Sequence, residues 1–180
     1  MGEIIINCIE GTVLLVMALK SDIETCKIKN RLTLTFITIG IITNSIIYGY
    51  KGFKNSLLGI IIPIIVLFVL YALKMLGAGD IKLFSALGAV FGAQYIFDIL
   101  AYSFVAGGII ALFLVIIRGN FKKRIRYLYN YLKLLILTFK FLPYTNFEDK
   151  EDGGKFPFGY AVFFGTIVFI IVELDVLKNN

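Results

Sequence analysis

The most constraining feature of the chain is a set of long apolar blocks separated by short basic segments. The clearest block runs from residue 57 to 73, with no charged residue between Lys54 and Lys74. It contains thirteen Leu, Ile, Val or Phe residues. Together these favour membrane insertion by about 4 to 8 kcal/mol. Pro63 lies inside the block, where a membrane helix tolerates the kink. The block therefore predicts a transmembrane helix.

Five further blocks of similar character indicate a polytopic membrane protein. Hydrophobic residues make up 59% of the 180 residues, which is more than a water-exposed surface accommodates, so lipid is the expected surrounding. We predict an all-α integral membrane protein forming a single domain over residues 1–180. Its six spans lie near residues 4–19, 32–48, 57–73, 83–97, 100–117 and 158–174. Glu10 falls inside the first span and needs a polar partner there, or a position toward the outer surface.

The basic residues predict the orientation of these spans. Fifteen of the eighteen Lys and Arg residues fall in the first, third and fifth loops. The positive-inside rule places those loops in the cytosol and both termini outside the cell membrane. Because the basic residues lie between apolar blocks, the net charge of +6 indicates contact with anionic lipid headgroups rather than nucleic acid. The sequence does not indicate an oligomeric state.

The fifth loop, residues 118–157, predicts an amphipathic helix on the inner membrane surface. Its apolar residues recur at helical spacing, and basic residues occupy much of the remainder. The apolar set is Ile125, Leu128, Leu132, Leu135, Ile136, Phe139 and Leu142. A cytosolic helix packed on the bundle is the alternative. Residues 146–155 are polar, contain two glycines and predict a loop.

The chain contains no histidine and two cysteines. This excludes nucleophile systems that depend on histidine, and zinc sites built on imidazole or on four thiolates. We therefore predict no metal and no cofactor, and carboxylates become the leading candidates for acid–base chemistry. Topology assigns most of the twelve carboxylates to the outer side or to the polar inner loop. Asp22, Glu24 and Asp80 remain, all at inner helix ends.

Asp80 closes the run Gly-Ala-Gly-Asp at residues 77–80, directly before an apolar span. Gly77 and Gly79 interrupt the helical pattern and leave room for another chain to approach. This run resembles the GxGD signature of the type IV prepilin peptidases and the related preflagellin peptidases, which are membrane aspartyl proteases. The residues from Asp22 to Asn30 resemble the segment that carries the family's first aspartate, with Lys29 where a proline usually stands.

The resemblance implies that Asp22 and Asp80 are the catalytic pair of a short, peptidase-only form without methyltransferase activity. Residues 156–159, Phe-Pro-Phe-Gly, also resemble the entry to the family's last helix. The implied substrate is a membrane-inserted prepilin-like or preflagellin-like precursor, cut at the cytosolic membrane face to remove a short basic leader.

Two aspartates are chemically sufficient for peptide hydrolysis. At about 4 Å and an effective dielectric near 20, two carboxylates repel by roughly 4 kcal/mol, so one is expected to hold a proton while the other is ionised. The ionised member can activate water and the protonated member can donate to the peptide carbonyl. Which aspartate takes which role stays open, because a coupled pair titrates as a unit.

Neighbouring residues have weaker signals. Gly77 and Gly79 are expected to admit an extended substrate, and Lys82 or Lys29 to orient its acidic groups. For both lysines, headgroup binding is the alternative. Glu24 either assists the site or is a solvated loop residue.

Two other classes of function stay open at this point. A small transporter or channel would use Glu10, Asp80 and Asp98 as intramembrane charges. A scaffold for a secretion machine would tolerate loss of either Asp22 or Asp80.

Overall fold

The computed structural model describes residues 2–25, 28–73, 75–117 and 158–179. Within these residues the chain is all-α. The helices are α1 (Gly2–Thr25), α2 (Asn30–Ala72), α3 (Ala78–Phe91), α4 (Ala93–Ile117) and α5 (Gly159–Asn179). The predicted amphipathic helix at 118–157 lies outside the described residues, as do Lys27, Lys74, Phe156 and Pro157.

Four of these helices are long and apolar enough to cross a membrane. The candidate spans are Ile4–Glu24, Asn30–Ala72, Ala93–Leu114 and Gly159–Val176. Large apolar side chains point outward along them, with Ile46 79% and Ile65 68% exposed. Polar side chains such as Asn44, Ser56 and Thr166 are buried instead. Apolar groups outside and polar groups inside form the arrangement expected of a bundle whose solvent is lipid.

Helix α2 is a hairpin of two helical arms rather than one straight rod. Gly49 has a non-helical backbone, with φ 61° and ψ −142°, a conformation that glycine adopts without steric cost. The side chains of Asn44 and Ser56 are hydrogen-bonded at 3.0 Å, although twelve residues of continuous helix would separate them by about 18 Å. The chain therefore reverses at Gly49, and residues 30–48 and 50–72 form antiparallel arms.

The two predicted spans at 32–48 and 57–73 correspond to these arms, but the expected loop between them is reduced to one residue. The polar residues after Gly49, including Lys51 and Lys54, lie in the second arm. The two arms can approach closely because Gly52 has no side chain and lies directly against the backbone of Asn44. Both arms therefore stay helical almost to the reversal at Gly49.

A break at Gly92 separates α3 from α4. Its φ is 86°, and its N–H donates to the carbonyl of Gly88 at 2.9 Å. Asn55 Oδ1 accepts the N–H of Ala93 at 3.1 Å and so binds the start of α4. The sequence predicts the boundary between these two helices at residues 97–100. The structure places it at Gly92 instead, and Asp98 lies within α4.

The core is formed where glycines allow helices to touch. Gly59 on the second arm of α2 lies against the backbone of Gly88 on α3, and Gly165 on α5 lies against Ser103 on α4. Close approach of backbones at small residues is how helices associate in a membrane. Apolar residues of α3, including Leu83, Phe84 and Leu87, are almost wholly buried. Helix α3 is thus the central element, and its first residues carry the candidate site.

Candidate active site

Asp22 lies near the end of α1 and is buried, with 7% of its surface exposed. Its Oδ2 accepts the backbone N–H of Gly159 at 3.1 Å, across 137 residues of sequence. Gly159 is the first residue of α5, whose terminal N–H groups have no partner within the helix. A buried carboxylate oxygen is therefore satisfied by a helix N-terminus.

Asp80 lies in the first turn of α3 and caps its own helix. Its Oδ2 accepts the N–H of Gly77 at 3.1 Å, and its N–H donates to the carbonyl of Gly77 at 3.1 Å. This reciprocal pair fixes the carboxyl group at the helix start. The carboxyl is only partly exposed, so it is held in place rather than free in solvent.

The electrostatic setting of Asp80 links it to Asp22. Burial raises the pKa of Asp80 from 3.8 to about 6, the Gly77 hydrogen bond opposes the rise, and the charge of Asp22 adds to it. Two aspartates that are 58 positions apart in sequence therefore lie at the same end of the bundle, within range of each other's charge. A carboxyl group in this setting exchanges its proton close to neutral pH.

The glycines of the motif provide space rather than an unusual backbone. Gly77 has φ −80° and ψ 151°, values that any residue adopts. A Cβ on Gly77 would lie 3.1 Å from Asp80 Oδ2, and one on Gly79 would lie 3.5 Å from the Cβ of Ile28. The neighbour beside Gly79 is Ile28, a buried residue of the segment that follows α1.

Lys82 and Asn30 form a polar contact beside the pair. Lys82 Nζ donates to Asn30 Oδ1 at 2.9 Å, joining α3 to the first residue of α2. Lys29 has an exposed side chain, and its carbonyl accepts the N–H of Leu32 at 3.1 Å, as expected at a helix start. Glu24 is also exposed. Among the residues that the structure describes, neither Glu24 nor Lys29 is hydrogen-bonded to Asp22 or Asp80.

The family model that matches the chain is the type IV leader peptidase family, over residues 9–112. The match covers more than half of the chain and contains both aspartates. The chain belongs to the type IV leader peptidase family. No curated protein and no solved structure matches it.

Membership of the type IV leader peptidase family confirms the family predicted from the Gly-Ala-Gly-Asp run. It makes the chain a leader-peptidase-like protease of the membrane, and it implies prepilin-like substrates. The matched region ends before α5, so the contact between Gly159 and Asp22 comes from a part of the chain that the family match does not include.

The sequence alone did not identify Gly159 as a site residue. The available signal was the Phe-Pro-Phe-Gly run at 156–159, which was interpreted only as the entry to the last helix. Nothing local in that run indicates a contact with Asp22, because the partners are far apart in sequence.

Proposed function

We propose that the chain is a membrane aspartyl endopeptidase that removes the short basic leader from type IV prepilin-like or preflagellin-like precursors. The observation that carries this proposal is that both aspartates lie at the same end of the bundle. Asp22 accepts the N–H of Gly159, and the neighbouring Phe158 packs against Phe84, one helical turn after Asp80. The family match supports the peptidase class.

The raised pKa of Asp80, about 6, favours it as the member that holds the shared proton. Asp22, which accepts an N–H from Gly159, is then the member that acts as the base. Asp22 takes a proton from water as the water oxygen attacks the scissile carbonyl carbon, and Asp80 donates its proton to the carbonyl oxygen. When the C–N bond breaks, Asp22 passes its proton to the leaving amine and Asp80 recovers its own.

For the membrane arrangement, we propose that the single domain has six spans, one within each straight helical segment. The first ends near Leu19, before Asp22, and the fourth begins near Leu83, after Asp80. Both termini lie outside the cell membrane and the aspartates lie at its cytosolic face, as the distribution of basic residues indicates. The inner loop at 118–157 carries an interfacial amphipathic helix that binds anionic headgroups.

Substrate enters beside Gly77 and Gly79, in this proposal, and Lys82 orients its acidic groups from its position at Asn30. Lys29 and Glu24 have exposed side chains at the same end and bind headgroups or solvent. The substrate reaches the site as the end of a membrane helix, with its basic leader in the cytosol.

Co-expression with candidate prepilin-like precursors tests the proposal, with leader removal followed by the change in precursor mobility and by mass spectrometry. Asp22→Asn and Asp80→Asn should each reduce processing by at least about 10³-fold, because either change removes one half of the acid–base pair. Asp98→Asn and Asp175→Asn, at exposed positions, are matched controls and should process normally. Continued cleavage by both Asp22→Asn and Asp80→Asn would reject the catalytic pair.

A further inference from the structure

The start of α5 makes a contact with the site that acid–base chemistry alone does not require. The carbonyl of Phe158 accepts the N–H of Val162 at 3.2 Å, so the helix begins there. The backbone N–H of Gly159, the residue after Phe158, donates to Asp22 Oδ2 at 3.1 Å. Gly159 and Asp22 are both buried. A helix from the far end of the chain therefore holds the buried aspartate directly.

The contact depends on residue 159 being glycine. A Cβ at this position would lie 2.5 Å from Asp22 Oδ2, 3.3 Å from its Cγ and 3.4 Å from its Cβ. The first distance is shorter than real Cβ contacts allow, and the obstructing atom is the carboxylate itself. Any side chain at 159 must displace Asp22. Gly108 on α4, in contrast, has no neighbour within 4 Å of its Cβ position.

The residue before Gly159 fixes this helix start relative to Asp80. The ring of Phe158 lies 6.3 Å from that of Phe84 and 5.8 Å from that of Phe104, between ring centroids. Phe84 is fully buried and follows Asp80 by one helical turn on α3. Ring contacts of this kind stabilise packing beyond the burial of apolar area alone. Phe158 thus connects α5 to the helix that carries Asp80.

We propose that the first turn of α5 is a clamp, in which Gly159 is a positioning residue that holds Asp22 against Asp80 and Phe158 sets the distance. The inference rests on the proposed function of the aspartate pair. Gly159 acts through Asp22 and has no contact with the substrate. Like charges on Asp22 and Asp80 repel each other. We therefore expect Asp22 to move away from Asp80 when the clamp is lost.

The test measures the carboxyl groups directly, with ¹³C-aspartate-labelled protein in nanodiscs and assignment by Asp22→Asn and Asp80→Asn. Burial is the main cause of the raised Asp80 pKa, the Gly77 N–H lowers it, and the charge of Asp22 on α1 raises it further. Lys82, on the same helix as Asp80, is bound to Asn30. In wild type the Asp80 signal should titrate near pH 6. In Gly159→Ala its midpoint should fall by about half a pH unit, because Asp22 moves away.

Two glycine controls separate positioning from general packing. Gly165→Ala places the same methyl on the same helix against the backbone of Ser103; it disturbs packing without contacting Asp22 and should leave the Asp80 midpoint in place. Gly108→Ala enters open space and should resemble wild type in every respect. An unchanged midpoint in Gly159→Ala, or an equal fall in Gly165→Ala, overturns the clamp.

Peptidase kinetics give the second readout, on a precursor that the wild-type protein cleaves. Gly159→Ala should lower kcat by at least about tenfold while KM changes by less than about threefold, since misplacement of a catalytic group affects the chemical step. The two proposals can fail separately. If the wild-type protein cleaves no precursor but the midpoint of the Asp80 titration still falls in Gly159→Ala, the proposed function is rejected and the clamp is supported. If Gly159→Ala does not accumulate, Phe158→Leu should give a smaller fall in the same direction, and no fall would overturn the clamp.

Discussion

At the scale of single residues, the sequence predicts Asp22 and Asp80 as a catalytic pair, and the structure adds contacts that the sequence does not predict. The Gly-Ala-Gly-Asp run points to Asp80, and the position after the first span points to Asp22, because motif and topology are local properties of the sequence. The hydrogen bond to Gly159 depends on a contact between distant segments. Gly77 lies just before α3, as a glycine that interrupts the helical pattern should, whereas Gly79 lies in the first turn of the helix.

The raised pKa of Asp80 makes the stability of the protein depend on pH. Its value in the unfolded chain is 3.8 and in the folded protein about 6, so the folded state binds the proton more tightly. The stabilising contribution is complete below about pH 4 and is lost as the pH rises through 6.

Asp80→Asn should therefore raise the Tm at pH 8 and leave it nearly unchanged at pH 4. The amide carries no charge, and its oxygen still accepts the Gly77 N–H. The expected gain at pH 8 is about 2–6 °C, measured by thermal unfolding in detergent micelles. Asp98→Asn, at an exposed position, should show no such pH dependence, and equal Tm values for wild type and Asp80→Asn at pH 8 would contradict the interpretation.

At the scale of elements, hydrophobic blocks located the helices, and glycines determined where they end. The predicted boundary near Asp98 was placed by its charge, but the backbone breaks at Gly92, whose φ of 86° excludes most other residues without strain. Likewise, Lys51 and Lys54 suggested a loop, whereas they lie in the second arm of α2. Charge marks where a helix meets water, and it does not mark where the helix stops.

The crossing of α2 and α3 at Gly59 and Gly88 should be sensitive to a single methyl group. Gly59→Ala would place its Cβ against the carbonyl of Gly88, so the helices must separate. We expect a cost of about 1–3 kcal/mol, or a fall in Tm of about 3–10 °C. Gly108→Ala is the control and should not lower the Tm; similar unfolding of the two variants would show that the crossing is looser than described.

At the scale of the whole molecule, the half of the bundle farther from the two aspartates is joined by a buried polar network. Asn44 donates to the carbonyls of Ala89 and Val90 at 3.0 and 2.9 Å and to Ser56, and accepts from Asn7 at 3.3 Å. Thr43 donates to Glu10 Oε1 at 2.7 Å, so the carboxyl in the first span has the polar partner that the sequence required. Polar groups with these partners are compatible with lipid surroundings.

The proposed orientation can be tested by labelling single cysteines in a protein lacking Cys8 and Cys26. Lys51→Cys and Lys20→Cys both lie at exposed positions, near opposite ends of the bundle. If the basic loops face the cytosol as proposed, a membrane-impermeant maleimide should label Lys51→Cys in intact cells and Lys20→Cys only after permeabilisation. The reverse pattern would invert the topology and place the aspartates outside.

The length of α3 has a consequence for how water reaches Asp80. Its 14 residues extend about 21 Å, whereas a bilayer has a hydrocarbon thickness of about 30 Å. Because α3 is buried among the other helices, its shortfall lies inside the bundle rather than against lipid. In the proposed six-span arrangement we therefore expect a recess at the end of α3 that carries Asp80, through which water reaches the carboxyl group. Under the proposed function, a bilayer thick enough to cover that recess should slow cleavage by limiting the supply of water.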